Sequence, residues 1–153
     1  MSYQAKLKVP FGVLGIHAAE DALLGIDFLP ATETAQRATN AFADNVCAQL
    51  LRYFDDPDAE FCLPLKFSAT PHQQKVWKAM LNIPRGETRS YGELAAALRS
   101  SAQAVGQACG ANPVPIIIPC HRVVSKAGLG GFMRHANGDA LDIKRWLLAH
   151  EQR

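Results

Sequence analysis

The sequence predicts a mixed α/β fold of the α+β kind, in which a strand-rich N-terminal part precedes a mostly helical C-terminal part. Short apolar runs separated by turn residues fill the first 30 positions, whereas apolar residues recur at helical spacing after them. The charge also changes sign, because residues 1–66 hold 5 Lys or Arg against 9 Asp or Glu, and residues 67–153 hold 11 against 5. We therefore expect two sub-domains, 1–66 and 67–153.

The N-terminal part is predicted to be an antiparallel meander followed by one helix. Residues 3–8, 12–18 and 23–28 have the composition of short strands, and turn residues separate them. A helix is predicted over 34–54, where apolar side chains recur every four residues at Ala38, Phe42, Val46, Leu50 and Phe54. The acidic stretch 55–58, which contains a proline, ends this helix.

The C-terminal part is predicted to contain four helices, over 73–82, 91–98, 102–111 and 139–151. Ser90 and Glu93 match the S-x-x-E capping box, so the second of these helices should begin at Tyr91. The third helix is rich in small residues, and Ser100 or Ser101 can cap it. Two short helices separated by a tight turn resemble a helix-turn-helix.

The bulk composition bears on compartment and partner. No apolar run approaches the roughly 20 residues that span a bilayer, and no apolar segment follows the N-terminal charges, so we expect neither a membrane span nor a signal peptide. The four cysteines form no CxxC pair, which favours reduced thiols and a cytoplasmic location. The positive balance of residues 67–153 suits contact with a polyanion.

Cys120 is the candidate nucleophile. It follows the apolar run 116–118, which we expect to be a buried extended segment, and Pro119. Burial alone disfavours a thiolate, but the imidazole of His121 can accept the thiol proton, directly or through one water, and hold the thiolate as an ion pair. A base needs a third group to orient it, and Glu151 is the candidate acid. The alternative for a Cys-His dipeptide is a buried cysteine beside a surface histidine.

The sequence around Cys120 resembles the signature of a known family. Pro119-Cys120-His121-Arg122-Val123, preceded by Asn112-Pro113, is similar to the O6-alkylguanine-DNA alkyltransferases, also called methylated-DNA–protein-cysteine methyltransferases. The resemblance covers about 67–153 and includes Ser90-Tyr91-Gly92-Glu93, Ala104-Val105-Gly106, Lys144 and Glu151, whereas 1–66 matches only in layout. It implies a ribonuclease-H-like N-terminal α/β sub-domain and a helical C-terminal sub-domain with a winged-helix-like helix-turn-helix.

The resemblance also implies an activity. Such a protein repairs DNA by direct reversal: a nucleotide carrying O6-alkylguanine flips out of the duplex, and its alkyl group passes irreversibly to Cys120, once per molecule. The partner would be double-stranded DNA containing the lesion, with no metal, no organic cofactor and no obligate protein partner, and we expect a monomer. Two alternatives are a non-catalytic protein that binds alkylation damage on the same scaffold, and a helix-turn-helix regulator without chemistry.

Residue roles follow from the same resemblance. His121 would be the base through a bridging water, and Glu151 would polarise it. Tyr91 would push on the target phosphate and donate a proton toward the departing guanine, Asn112 would be a hinge, and Lys144 would support the site. The backbone carbonyls of Cys120 and Val123 would accept hydrogen bonds from the guanine amino group. The other substrate-pocket candidates are Phe132, Pro115 and Trp77, and the DNA-binding candidates are Gln103, Arg99, Arg89, Arg122, Ala104 and Gly106.

Some positions depart from the family pattern. Gln103 stands where an arginine usually fills the gap left by the flipped base, so we expect weaker DNA affinity or slower flipping, unless Arg99 substitutes. Phe132 replaces a usual tyrosine in a longer loop whose Arg134 and His135 could reach DNA or be solvated. Some relatives hold structural zinc, but the N-terminal part offers only the widely spaced His17, Cys47 and Cys62, so no metal site is predicted.

Overall fold

The structure is a computed structural model that describes residues 3–131 and 138–153, with the side chains of residues 138 and 139 excluded. These residues form five α-helices and two small sheets, so the predicted mixed α/β class is confirmed. The chain divides into two compact units, Met1–Phe67 and Ser68–Arg153. Within the described ranges, no helix has the length and apolar character needed to cross a membrane.

The first unit is built on a three-stranded antiparallel sheet. Strands β1 (Ala5–Val9), β2 (Gly12–Ala18) and β3 (Leu23–Leu29) lie in the order β1-β2-β3, with Ala5 opposite Ile16 and Ile16 opposite Ile26. Helix α1 (Ala41–Asp55) packs against the sheet and buries Val46 and Leu50 completely. The predicted meander is therefore confirmed.

Helix α1 begins later than the predicted start at residue 34. Its first turn is capped by Asn40, whose side chain accepts a 2.7 Å hydrogen bond from the Ala43 backbone nitrogen. Upstream, Gln36 pairs in extended conformation with Lys6 of β1, through backbone hydrogen bonds of 2.9 and 3.0 Å. The predicted start was wrong because pairing with a strand satisfies the backbone of this stretch and leaves it out of the helix.

The second unit carries the remaining helices: α2 (Pro71–Leu81), α3 (Tyr91–Leu98), α4 (Ala102–Gly110) and α5 (Gly138–His150). The Ser90–Glu93 capping box is present, as predicted, and α3 begins at Tyr91. Helix α2 begins earlier than the predicted residue 73, because Thr70 and Gln73 form a second capping box. Helices α3 and α4 pack together, as do α2 and α4.

Two very short strands bring the start of α3 to the cysteine segment. Strand β4 (Arg89–Ser90) pairs in parallel with β5 (Val123–Val124), so that Arg89 lies opposite Val123. A 3-10 turn, Cys120–Arg122, directly precedes β5. The β4–β5 pair therefore brings together two segments that lie far apart in the sequence. Tyr91 directly follows β4, and Cys120 begins the turn that precedes β5.

The segment before Cys120 is buried but not extended. Ile116, Ile117 and Ile118 are at most 9% exposed, as expected. The chain turns there, however: the Ile118 nitrogen donates to the Val114 carbonyl at 3.0 Å, and Ile116 has a φ of 77°. A β-branched residue with positive φ costs about 1–3 kcal/mol, and burial of the three isoleucines offsets that cost. The expectation of an extended segment was wrong because a backbone hydrogen bond closes a turn between Val114 and Ile118, directly before the 3-10 turn that begins at Cys120.

Candidate active site

Cys120 sits at the start of the 3-10 turn and is 3% exposed. Its backbone nitrogen donates to the Ile118 carbonyl at 2.8 Å, and the same carbonyl accepts a 2.8 Å hydrogen bond from the Asn112 amide. The Asn112 side-chain oxygen accepts from the Val114 nitrogen at 3.0 Å. Asn112, itself buried, thus stabilises the turn that links the end of α4 to Cys120.

Burial disfavours the charged form of Cys120. Burial raises the pKa of this thiol to about 11, although the Asn112 side chain and the positive charge of Lys144 act in the opposite direction. At neutral pH the sulfur therefore keeps its proton until a base removes it. The direction of this shift opposes the thiolate–imidazolium pair expected from the sequence, and that pair stays a prediction.

His121 and Glu151 are brought together in the interior. Both are at most 1% exposed, and His121 Nε2 lies 2.8 Å from Glu151 Oε2. An ionised carboxylate accepts only, so this contact places the ring proton on Nε2. His121 Nδ1 is buried and has no hydrogen-bond partner among the described residues. Burial lowers the pKa of His121, whereas Glu151 raises it. Because burial is the larger effect, the neutral ring is favoured, and its Nδ1 lone pair is available to accept a proton.

Arg122 is used inside the site rather than on the surface. Its Nε donates to Glu151 Oε1 and its Nη2 to Glu151 Oε2, both at 2.9 Å, while Nη1 donates to the Ile83 carbonyl at 2.6 Å. The Arg122 side chain is 14% exposed. These contacts do not favour the phosphate-binding role expected for Arg122.

Lys144 of α5 is completely buried. Its ammonium donates to three backbone carbonyls, at 2.6 Å to Val123, 2.5 Å to Leu129 and 2.8 Å to Gly131. Burial lowers the pKa of Lys144 to about 8. Lys144 is therefore not a solvated helix lysine, and it anchors the chain that follows Cys120.

Tyr91 is held between two glycines. A Cβ added at Gly130, where φ is 71°, would lie 2.7 Å from Tyr91 Cε2, and one added at Gly106 would lie 4.0 Å from Cε1. The Tyr91 hydroxyl donates to the Gly131 carbonyl at 3.3 Å, and Lys144 Nζ lies 5.8 Å from the ring centroid. Burial raises the pKa of Tyr91 to about 12, so the phenol remains a proton donor.

The candidate DNA-binding residues fall into two sets. Gln103 is exposed on α4 and shares with Ala104 and Gly106 a groove that also includes Thr70 and His72. Arg99 and Arg89 lie elsewhere in the unit. Arg99 is exposed just after α3, in the left-handed conformation with φ of 54°, and Arg89 is paired with Glu87 at 3.1 Å.

The candidate pocket residues are not all in one place. Val123 and Pro115 are buried beside the cysteine segment. Trp77 is buried between α2 and α4, and its indole nitrogen donates to the Ala108 carbonyl at 2.8 Å, so it belongs to helix packing. Phe132, Arg134 and His135 lie outside the described residues.

Several residues of the site carried no sequence signal for their contacts. The Arg122 fork on Glu151 and the close approach of Gly130 to Tyr91 each join residues that lie far apart in the chain. Cys109 is buried with its sulfur 3.6 Å from the Met80 sulfur, and burial raises its pKa to about 12. Within the residues that the structure describes, no group of three His, Cys, Asp or Glu side chains could hold a metal ion.

Comparison with known proteins identifies the family. The family model described as "6-O-methylguanine DNA methyltransferase, DNA binding domain" matches residues 71–153. The constitutive methylated-DNA–protein-cysteine methyltransferase of Bacillus subtilis is 38% identical over 99% of this chain and 96% of its own length. This chain belongs to the 6-O-methylguanine DNA methyltransferase family. The corresponding protein of Mycolicibacterium paratuberculosis is 38% identical over 94% of this chain and 88% of its own.

Solved structures of the 6-O-methylguanine DNA methyltransferase family agree with the fold. The crystal structure of the Mycobacterium tuberculosis O6-methylguanine methyltransferase has a TM-score of 0.81 at 36% identity, covering 99% of this chain and 93% of its own. The Mycobacterium tuberculosis OGT in complex with DNA has a TM-score of 0.78 at 37% identity, covering 96% and 91%.

Proposed function

We propose that this chain repairs O6-alkylguanine in double-stranded DNA by moving the alkyl group to the Cys120 sulfur, once and irreversibly. Relatives that match nearly the whole chain are named methylated-DNA–protein-cysteine methyltransferases. The observation that carries the proposal is the buried thiol of Cys120 next to His121, whose Nε2 contacts Glu151 and whose Nδ1 has no partner among the described residues.

The chemistry is a displacement at carbon. His121 Nδ1 takes the thiol proton, through one water, and the Cys120 sulfur forms a bond to the alkyl carbon. The bond between that carbon and guanine O6 breaks, and its electron pair stays on the guanine. Tyr91 donates a proton to the leaving guanine and regains one from solvent, which lowers the barrier by general acid catalysis. The thioether product does not hydrolyse, so each molecule reacts once.

DNA would lie against the second unit. The target base is out of reach inside the stack and has to be flipped, at a cost of a few kcal/mol. In our proposal α3 and α4 act as a helix-turn-helix of the winged-helix kind, and the small residues Ala104 and Gly106 let the backbone of α4 approach the duplex. Gln103, exposed on the same helix, would fill the gap left by the base, and Arg99 and Arg89 would contact phosphates.

The N-terminal unit would serve as a partner domain. In our proposal this unit is a ribonuclease-H-like sub-domain, and its meander followed by one helix supports that proposal. It carries none of the residues to which we assign chemistry or DNA contact. We therefore place the activity in residues 67–153.

The test is mass spectrometry after incubation with duplex DNA containing one O6-methylguanine. We expect the peptide bearing Cys120 to gain one methyl group, and Cys120→Ser to gain none. Cys109→Ser is the matched control, because it removes another buried thiol and should leave the gain intact. Unchanged mass with retained affinity for damaged DNA would instead indicate a non-catalytic damage-binding protein, and binding to one undamaged sequence would indicate a regulator.

A further inference from the structure

We propose that Arg122 is a positioning residue of the transfer reaction, which fixes the Glu151 carboxylate and thereby holds His121 in the tautomer that a base requires. This inference rests on the proposed function, since it assigns a task to a residue of the same site. Arg122 does not touch the sulfur or the substrate in this role, and it acts through two other side chains.

The grip on Glu151 is geometric. Two nitrogens of the Arg122 guanidinium donate to the two oxygens of the carboxylate at 2.9 Å each, which is the bidentate fork that arginine forms and lysine cannot. The third nitrogen donates to the Ile83 carbonyl at 2.6 Å, and this hydrogen bond fixes the orientation of the guanidinium. Glu151 is 1% exposed, and water therefore does not compete for the carboxylate.

The fork determines which proton His121 carries. Glu151 Oε2 accepts from Arg122 at 2.9 Å and lies 2.8 Å from His121 Nε2. A carboxylate that accepts two charge-assisted hydrogen bonds stays ionised, so it accepts the Nε2 proton of His121 without taking it. The lone pair of His121 is consequently on Nδ1, the nitrogen without a partner among the described residues.

The charge of Arg122 matters as well as its shape. The charged groups that act on His121 are Glu151 and Lys144 from α5 and Arg122 from its own turn. Glu151 raises the pKa of His121, whereas burial, Arg122 and Lys144 lower it. Without the guanidinium, Glu151 is less opposed, so the pKa of His121 rises and a larger fraction of the ring is protonated and unable to act as a base at neutral pH.

The experiment measures the single-turnover rate of methyl transfer against pH, together with the NMR titration of His121, in the full chain and its variants. In Arg122→Gln we expect the rate at pH 7 to fall by about 10- to 100-fold, within what a general base contributes, and the rising limb of the profile to shift to higher pH. Arg122→Lys keeps the positive charge but cannot form the bidentate contact with Glu151. The rising limb of its pH–rate profile should therefore stay near that of the wild type, while its plateau rate falls.

Arg85→Gln is the matched control. Arg85 also donates to Glu151, but to the backbone carbonyl, so this variant should lower the melting temperature and leave the pH limb unmoved. An upward shift of the His121 titration in Arg122→Gln, absent in Arg85→Gln, supports the inference.

The proposed function and this inference fail in different ways. A wild-type chain that transfers no methyl group overturns the function, and the His121 titration then still tests the role of Arg122. If wild type and Arg122→Gln both transfer the methyl group, and if they show the same His121 titration and the same rising limb of the pH–rate profile, the inference is overturned. If Arg122→Gln does not fold, a wild-type plateau in a folded Arg122→Lys overturns it, and a reduced plateau supports it.

Discussion

Lys144 and Tyr91 share one acceptor: the Gly131 carbonyl accepts a 2.8 Å hydrogen bond from the Lys144 ammonium and a 3.3 Å hydrogen bond from the Tyr91 hydroxyl. Lys144 also holds the carbonyls of Val123 and Leu129, so one buried cation anchors the chain from the cysteine turn to the phenol. The positions of Cys120, the proposed nucleophile, and Tyr91, the proposed proton donor, therefore depend on a residue of α5.

The protonation of Lys144 should limit activity at alkaline pH. Burial lowers its pKa to about 8, and the neutral amine has only two protons for three carbonyls and no charge to favour a thiolate. We expect the transfer rate to fall as the pH rises through about 8. Lys144→Arg, if folded, should lose this falling limb because arginine stays charged, whereas Lys78→Arg on the exposed side of α2 should keep it.

Stability should respond to the same titration with the opposite sign. The folded-state pKa of Lys144 lies below its ordinary value of 10.5, so the unfolded chain binds more protons between about pH 8 and 10.5. The contribution of Lys144 to the free energy of unfolding therefore rises with pH over this window. Urea melts at several pH values give the free energy of unfolding of the wild type and of Lys144→Arg. The difference between the two free energies should vary with pH over this window, and a constant difference would contradict the prediction.

Tyr91→Phe should slow transfer and leave the fold intact. The lost hydrogen bond is long, at 3.3 Å, and contributes about 0.5–1 kcal/mol, while the lost proton donor costs about 100-fold in rate. Single-turnover kinetics and thermal melting separate the two effects. Tyr53→Phe, in α1 of the first unit, removes a hydroxyl remote in sequence from the site and should transfer at the wild-type rate. An unaltered rate in Tyr91→Phe would remove Tyr91 from the mechanism.

Gly130→Ala should displace Tyr91. The new methyl group would lie 2.7 Å from Tyr91 Cε2 and 3.2 Å from its hydroxyl, at a position whose φ of 71° already costs an alanine about 1–2 kcal/mol. We expect lower stability by about 2 kcal/mol and slower transfer. Gly128→Ala is the control, since a Cβ there meets nothing within 4 Å. Equal transfer rates in the two variants would mean that Tyr91 needs no support from this loop.

Gln103→Arg should strengthen DNA binding or speed transfer. Gln103 is exposed on α4, and an added guanidinium supplies both charge and a planar stacking surface. The salt dependence of DNA affinity should steepen by about one unit of slope if the new charge contacts a phosphate. Gln74→Arg on α2 adds the same charge outside the groove and serves as the control. A loss of activity in Gln103→Arg would indicate that the turn after α3 positions α4 differently from the family pattern.

The features of the fold that could be predicted are those that depend on residues close together in the sequence. The start of α3 was correct because the Ser90–Glu93 capping box involves only four consecutive residues. Thr70 and Gln73 form the same kind of local signal at the start of α2, and Asn40 is a residue type that favours the N-cap position of α1. The turn at Ile116 could not be predicted, because a β-branched residue adopts a positive φ only when surrounding contacts impose it.

By itself the sequence determined the class of fold and the family, and it placed the candidate nucleophile Cys120 next to His121, because these depend on composition and on residues close together in the chain. Only the tertiary structure decided the charge states and the partners. Glu151 meets Arg122, Lys144 meets Gly131, and burial raises the pKa of Cys120. The physical reason is that exclusion of water shifts each pKa, and water is excluded only where distant segments of the chain pack together.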